Sequence, residues 1–72
     1  MSEYEEIYKD HLIDYTPMSA GGEKFSRCWK IWRGEFRDQA NFVGQYSSPD
    51  FVTESQAAEL GLASARTYID ER

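Results

Sequence analysis

The clearest run of polar and apolar positions lies at the end of the chain, from Thr53 to Ile69. Thr53-Glu54-Ser55-Gln56 has the spacing of a capping box, in which the Thr53 hydroxyl accepts from the Gln56 backbone N–H and the Gln56 side chain reaches back to the Thr53 N–H. Glu54 falls in the first turn, where the positive end of the helix dipole favours an anion. Ala58, Gly61, Leu62, Ala65 and Ile69 then recur at spacings of three and four, with Gln56, Glu59, Thr67 and Asp70 opposite, which predicts a helix with one inward stripe. The stripe is small in the middle, so the helix can approach a sheet closely at Gly61, at roughly 1 kcal/mol in helix propensity relative to Ala. Ala57, Leu60, Ser64 and Tyr68 form a flanking stripe that one sheet face leaves partly uncovered, making Leu60 a candidate contact.

Upstream the period changes to two. Lys24 to Arg33 reads as the strongest strand, with Phe25, Arg27, Trp29, Ile31 and Arg33 on one face and Ser26, Cys28, Lys30 and Trp32 on the other. The Phe25, Trp29 and Ile31 side is more apolar and is expected to meet the helix, leaving Trp32, Lys30 and Cys28 on the open side. His11 to Thr16 reads as a strand closed by Pro17, since proline cannot donate to a ladder, and Gly21-Gly22 supplies a turn that favours an antiparallel hairpin. A third, shorter strand is expected over 41–46, between a polar loop at 34–41 and a turn at Ser47-Ser48-Pro49-Asp50. The first residues are ambiguous. Ser2-Glu3-Tyr4-Glu5 also fits a capping box, so residues 3–9 suit a short helix, marginally preferred, while Tyr4 to Thr16 would equally suit one long strand. The expectation is an α+β domain: a three-stranded antiparallel sheet packed on one C-terminal helix, with a short N-terminal helix if that alternative holds. Residues 1–72 make one domain, divided into an acidic N-terminal segment (1–10), the sheet (11–52) and the helix (53–70).

Size and charge narrow the functional classes. A 72-residue chain buries only about 60 % of its unfolded surface, so stapling or self-association is expected. The lone Cys28 cannot form an intramolecular disulfide, and no metal-ligand set is visible. No apolar run is long enough to span a membrane and no signal-peptide pattern opens the chain, which suggests a soluble cytoplasmic protein. A net charge of −5 and a pI near 4.7 argue against direct nucleic-acid binding, for which a basic footprint is usual. Charge is uneven, however: Glu3, Glu5, Glu6, Asp10 and Asp14 load the start, and Lys24, Arg27, Lys30, Arg33 and Arg37 the middle.

The order Tyr8-Lys9-Asp10-His11-Leu12-Ile13, the Thr16-Pro17 break, the Gly-Gly turn, a strand ending Ile31-Trp32-Arg33, and Phe51-Val52-Thr53-Glu54 entering a helix that ends Ala65-Arg66-Thr67-Tyr68-Ile69-Asp70 has a counterpart. Over residues 8–70 the chain resembles the small, functionally uncharacterised bacterial proteins with a strand-strand-strand-helix plan, of which one from Chromobacterium is an example. The resemblance implies that fold and a homodimer, and it brings no catalytic residue.

No catalytic constellation stands out. His11 has Asp10 and Asp14 nearby but no positioned partner in a cleft, and reads as structural. Cys28 beside Lys30 reads as a small hydrophobe before a nucleophile. Gly21-Gly22-Glu23-Lys24 lacks the spacing of a phosphate loop, and the N-terminal carboxylates are not interleaved as calcium ligands are. No enzyme activity, cofactor or metal is therefore expected. The candidate interaction residues are Trp32, Lys30, Cys28, Arg33, Arg37 and Leu60, because interfaces favour a large aromatic beside cations. One possibility is that residues 1–9 cover this patch, with Tyr4, Ile7 and Tyr8 on Trp32. The leading expectation is a homodimeric protein-interaction module that uses the open sheet face or the edge of the third strand. The alternative is a small acidic inhibitor of phage or mobile-element origin that occupies a basic nucleic-acid-binding surface on a host enzyme.

Overall fold

Helix α1 (Glu54–Asp70) lies across one face of a four-stranded antiparallel sheet in the computed structural model, which describes residues 3–72. The sheet comprises β1 (Glu5–Tyr8), β2 (His11–Asp14), β5 (Cys28–Arg33) and β6 (Phe42–Ser47), in the order β1-β2-β5-β6. A separate two-stranded ribbon joins β3 (Met18–Ser19) and β4 (Phe25–Ser26). The α+β class and the C-terminal helix agree with the sequence. The three-stranded count does not: a fourth strand and the small ribbon are added.

The added strand is β1, so the short N-terminal helix is not formed; the capping box at Ser2 lies outside the described residues. Local spacing favours a helix here only weakly, and cross-strand pairing decides otherwise. Glu5, Glu6, Ile7 and Tyr8 pair with Asp14, Ile13, Leu12 and His11, and Tyr15 N–H extends the pairing to the Tyr4 carbonyl at 2.9 Å. Lys9 and Asp10, at φ of 47° and 64°, make the two-residue turn whose twist matches the flanking strands. Long-range contacts hold that turn. Lys9 Nζ donates to Asp70 at 2.5 Å, and Gly34 N–H donates to the Asp10 carbonyl at 2.6 Å.

The Lys24 to Arg33 strand breaks at Arg27 into β4 and β5; Phe25, expected on the helix side, is half-buried and outside the core cluster, whereas β5 keeps the expected phase. Trp29 and Ile31 point into the core with Ile13, Ala65 and Ile69, and Tyr8, Tyr15, Val43 and Leu62 pack around them. Phe25 pairs reciprocally with Val52 at 2.9 and 2.7 Å, so the ribbon fixes the approach to the helix. The helix starts as its spacing predicts: Gln56 N–H donates to Thr53 Oγ1 at 3.2 Å, and Thr53 N–H to Gln56 Oε1 at 3.3 Å. Its inward stripe is rotated slightly from the expected one. Ala57, Gly61, Ala65 and Ile69 are buried, whereas Ala58 and Leu62 are half-buried. The reason is the close approach at Gly61, where a Cβ would stand 3.0 Å from the Cys28 carbonyl oxygen, so the row spaced by four settles onto β5. Among the described residues, no helix is long and apolar enough to cross a membrane.

Candidate interaction surfaces

Alternation along the paired strands places Glu5, Ile7, Leu12, Asp14, Cys28, Lys30, Trp32, Phe42, Gln45 and Ser47 on the sheet face away from α1. The structure thus brings Trp32, Lys30 and Cys28 together with one another. It does not leave Trp32 open. The Trp32 ring is only 8 % exposed, because Arg37 of the β5–β6 loop lies 4.9 Å from its centroid and Phe42 meets it edge-on at 5.8 Å. Residues 5–8 do not provide the cover, since they extend the sheet sideways instead of lying across it.

Arg37 is held by two carboxylates, pairing with Asp14 at 2.8 Å and with Glu5. Partial burial pushes the Asp14 carboxyl up, but bonds from the Thr16 hydroxyl (2.7 Å) and backbone N–H (3.1 Å), together with Arg37, outweigh it and hold the group below its ordinary value. Cys28 moves the other way. Burial and then the Asp14 charge push its thiol up, and Sγ donates to the Thr16 carbonyl at 3.1 Å, so at neutral pH it is a protonated thiol.

Beyond the Arg37 cover, the same face opens into a trough of about 600 Å³ along β5, with Cys28 and Lys30 on its floor. Arg33 and Leu60 do not belong to this face. Arg33 follows Trp32 on β5, so alternation sends it to the other side, at the strand end opposite His11. Leu60 is on the helix, beside Ser64 and Tyr68.

The two outer strands present contrasting edges. β1 carries Glu5 and Glu6, paired with Arg37 and with the Arg66 guanidinium, whose nitrogens reach the Glu6 carboxylate at 2.6 and 2.8 Å; such inward-tied charges protect an edge from further pairing. β6 reads Phe-Val-Gly-Gln-Tyr-Ser and carries no charge. Ser48 N–H donates to the Arg27 carbonyl, so by antiparallel alternation the backbone groups of Gln45 and Ser47 face away from β5. The register shift near Phe42 disturbs only the first part of the strand.

An apolar shelf overhangs this edge. Trp29 meets the rings of Tyr68 at 4.9 Å and Tyr46 at 6.0 Å, and its indole N–H donates to Ser64 Oγ at 3.1 Å. The Tyr68 hydroxyl stands over Gly44, where an added Cβ would lie 3.3 Å away. Leu60 and Tyr46 are each 42 % exposed and Tyr68 is 38 % exposed; Tyr46 is on β6 itself, and Leu60 shares the helix stripe of Ser64 and Tyr68. Tyr68 belongs to the flanking helix stripe that the spacing leaves partly uncovered; Tyr46 is not singled out by sequence, and the uncharged run of residues 42–47 is its available signal. Among the described residues, no cluster of three or more His, Cys, Asp or Glu is placed to hold a metal ion. Comparison with known protein families, curated proteins and solved structures gives no significant match to this chain.

Proposed function

We propose that this protein is a non-enzymatic protein-interaction module that forms a homodimer through the β6 edge. The observation that carries the reading is the contrast between its two outer strands: β1 is tied up by ion pairs, while β6 is uncharged, carries the exposed Tyr46 and lies beneath Tyr68, on whose helix stripe Leu60 is also exposed. A second copy is the occupant that suits this edge. It brings an identical neutral strand, so two chains of net charge −5 meet where neither carries a formal charge. Antiparallel pairing about a two-fold axis gives the outward groups of Gln45 and Ser47 partners, and it lays one neutral edge beside the other. Small size adds a reason, since a 72-residue core gains from apolar area buried between copies.

The second reading, an acidic inhibitor of a nucleic-acid-binding enzyme, draws less support. Glu5, Glu6 and Asp14, the carboxylates it would present from the N-terminal half, are already engaged by Arg37 and Arg66.

Sedimentation equilibrium over a wide concentration range tests the reading, applied to wild type, Tyr46→Lys and Leu60→Lys. The expected result is a concentration-dependent dimer for wild type and a folded monomer for both variants. A wild-type monomer throughout, or variants that dimerise as wild type does, would overturn it. Dissociation of the wild-type assembly by moderate salt would favour an ionic contact over the neutral edge.

A further inference from the structure

The sheet trough contains a cation that no carboxylate among the described residues balances. Cys28 and Lys30 form its floor, Met18 one wall and Gln45 and Ser47 the other, with Asp14 closing the end toward Arg37. In the strand register Lys30 stands directly opposite Asp14, the position from which an ammonium and a carboxylate normally pair. That pair does not form. The Asp14 oxygens are occupied by Thr16 on one side and Arg37 on the other, so the arginine that covers Trp32 also takes the counter-charge of Lys30. Thr16 supplies no charge in exchange: its hydroxyl donates to Asp14 and its carbonyl accepts from the Cys28 thiol. Among the described residues no carboxylate is paired with Lys30. Facing the trough are the Lys30 ammonium, which can only donate, and the Gln45 amide and Ser47 hydroxyl, which can donate beside it, set next to the apolar surface of Met18 and Cys28.

From this juxtaposition we infer that the trough is a binding site for a small organic carboxylate with an apolar body, its carboxylate on Lys30 with Gln45 and Ser47 and its hydrocarbon on Met18 and Cys28. A volume of about 600 Å³ is in the range of small-molecule sites, which combine apolar lining with a few convergent polar groups. The charge requirement is for one negative charge. The protein carries −5 in all, so polyanions such as nucleic acid or polyphosphate meet repulsion from the remainder of the surface, while a monoanion answers a single unmatched ammonium. The apolar requirement comes from Met18, 52 % exposed, whose flexible thioether adapts to a hydrocarbon surface. The inference does not rest on self-association at β6.

The test is a two-dimensional amide NMR titration of the full chain with sodium hexanoate, with hexanol and with inorganic phosphate, repeated on Lys30→Met. Hexanoate is expected to produce saturable shifts centred on Cys28, Lys30, Gln45 and Ser47. Hexanol, phosphate and the Lys30→Met variant should each bind about tenfold more weakly or worse, the loss of one charge-assisted hydrogen bond. Lys30 is exposed and Met keeps its stem, so the variant retains the fold; the wild-type contrast between hexanoate and hexanol holds independently of it. Equal binding of hexanol, equal or tighter binding of phosphate, an undiminished response in Lys30→Met, or no saturable shift with hexanoate would each overturn the inference.

Discussion

The Arg37 guanidinium lies 4.9 Å from the Trp32 ring centroid while its nitrogens reach Asp14 and Glu5, so one loop side chain covers Trp32 on the sheet's second face and clamps β1 to β2. A sheet covered by a helix on one side needs something across its back. Here that need is met by a cation lying flat on an indole, with its charge balanced by two carboxylates from the neighbouring strands.

Arg37→Ala should therefore destabilise the fold through lost cover as well as lost charge. The cation–π contact and the bonds to half-buried Asp14 together suggest a loss of about 1–2 kcal/mol, kept modest because Arg37 is partly solvated. Urea denaturation checks the value. Arg37→Lys should recover only part of it, since an ammonium cannot span two carboxylates while stacking on the ring. An Arg37→Ala protein as stable as wild type would show that the clamp is decorative.

Acid should loosen the same clamp. The folded Asp14 carboxyl titrates below its ordinary value of 3.8, so the unfolded chain takes up the proton more readily. Its contribution is complete above the unfolded pKa, at roughly pH 5 and higher, and is lost as pH falls through the folded one. Stability of wild type minus Asp14→Asn, measured against pH, should shrink toward the acid end, and a difference independent of pH below 5 would contradict the assignment.

Gly61→Ala sets two effects against each other. Alanine gains roughly 1 kcal/mol in helix propensity. Its Cβ, however, would stand 3.0 Å from the Cys28 carbonyl oxygen, a backbone atom that cannot swing aside, so α1 must lift from β5. Overpacking of this kind costs about 1–3 kcal/mol, and the expected net result is a lower thermal midpoint. A higher midpoint would mean that the interface gives way cheaply.

Ser64→Ala leaves the buried Trp29 indole N–H without its acceptor. A stability loss of about 1–2 kcal/mol is expected, with a shift of the Trp29 side-chain N–H resonance in the NMR spectrum. An unmoved resonance would show that the bond is not formed in solution.

Cys28 should alkylate slowly in the native protein at mildly alkaline pH, because burial raises its thiol pKa and the thiol is engaged by Thr16. Alkylation by iodoacetamide should speed up markedly on denaturation. Equal native and denatured rates would place the sulfur in solvent.

Features that depend on neighbours in sequence were legible in advance. The Thr53/Gln56 capping box, the extent of α1 and the inward phase of Trp29 and Ile31 follow from spacings of three, four and two, which local backbone geometry enforces. The same alternation correctly placed Cys28, Lys30 and Trp32 on one face. β1 was not legible as a strand, because Glu5 to Tyr8 has no decisive period of its own and becomes extended through pairing with Leu12 to Asp14 and through Asp70, more than sixty residues away, holding Lys9.

The candidate site shows the same division. Composition identifies an aromatic and several cations near the end of β5, but which cation meets which carboxylate is a matter of distance between strands. Arg37 reaches Asp14 and Glu5, and that leaves Lys30 without a counter-charge; the outcome depends on loop closure over Trp32. Likewise the neutral Phe42 to Ser47 run is visible in sequence, yet its position as an outer strand beneath Tyr68 comes from strand order and helix placement. Sequence by itself determined the helix, its start and the inward phase of β5, since these arise from repeats of a few residues. Tertiary structure alone decided which edge stays bare and which charges are already matched, since both are set by contacts between segments that no local period encodes.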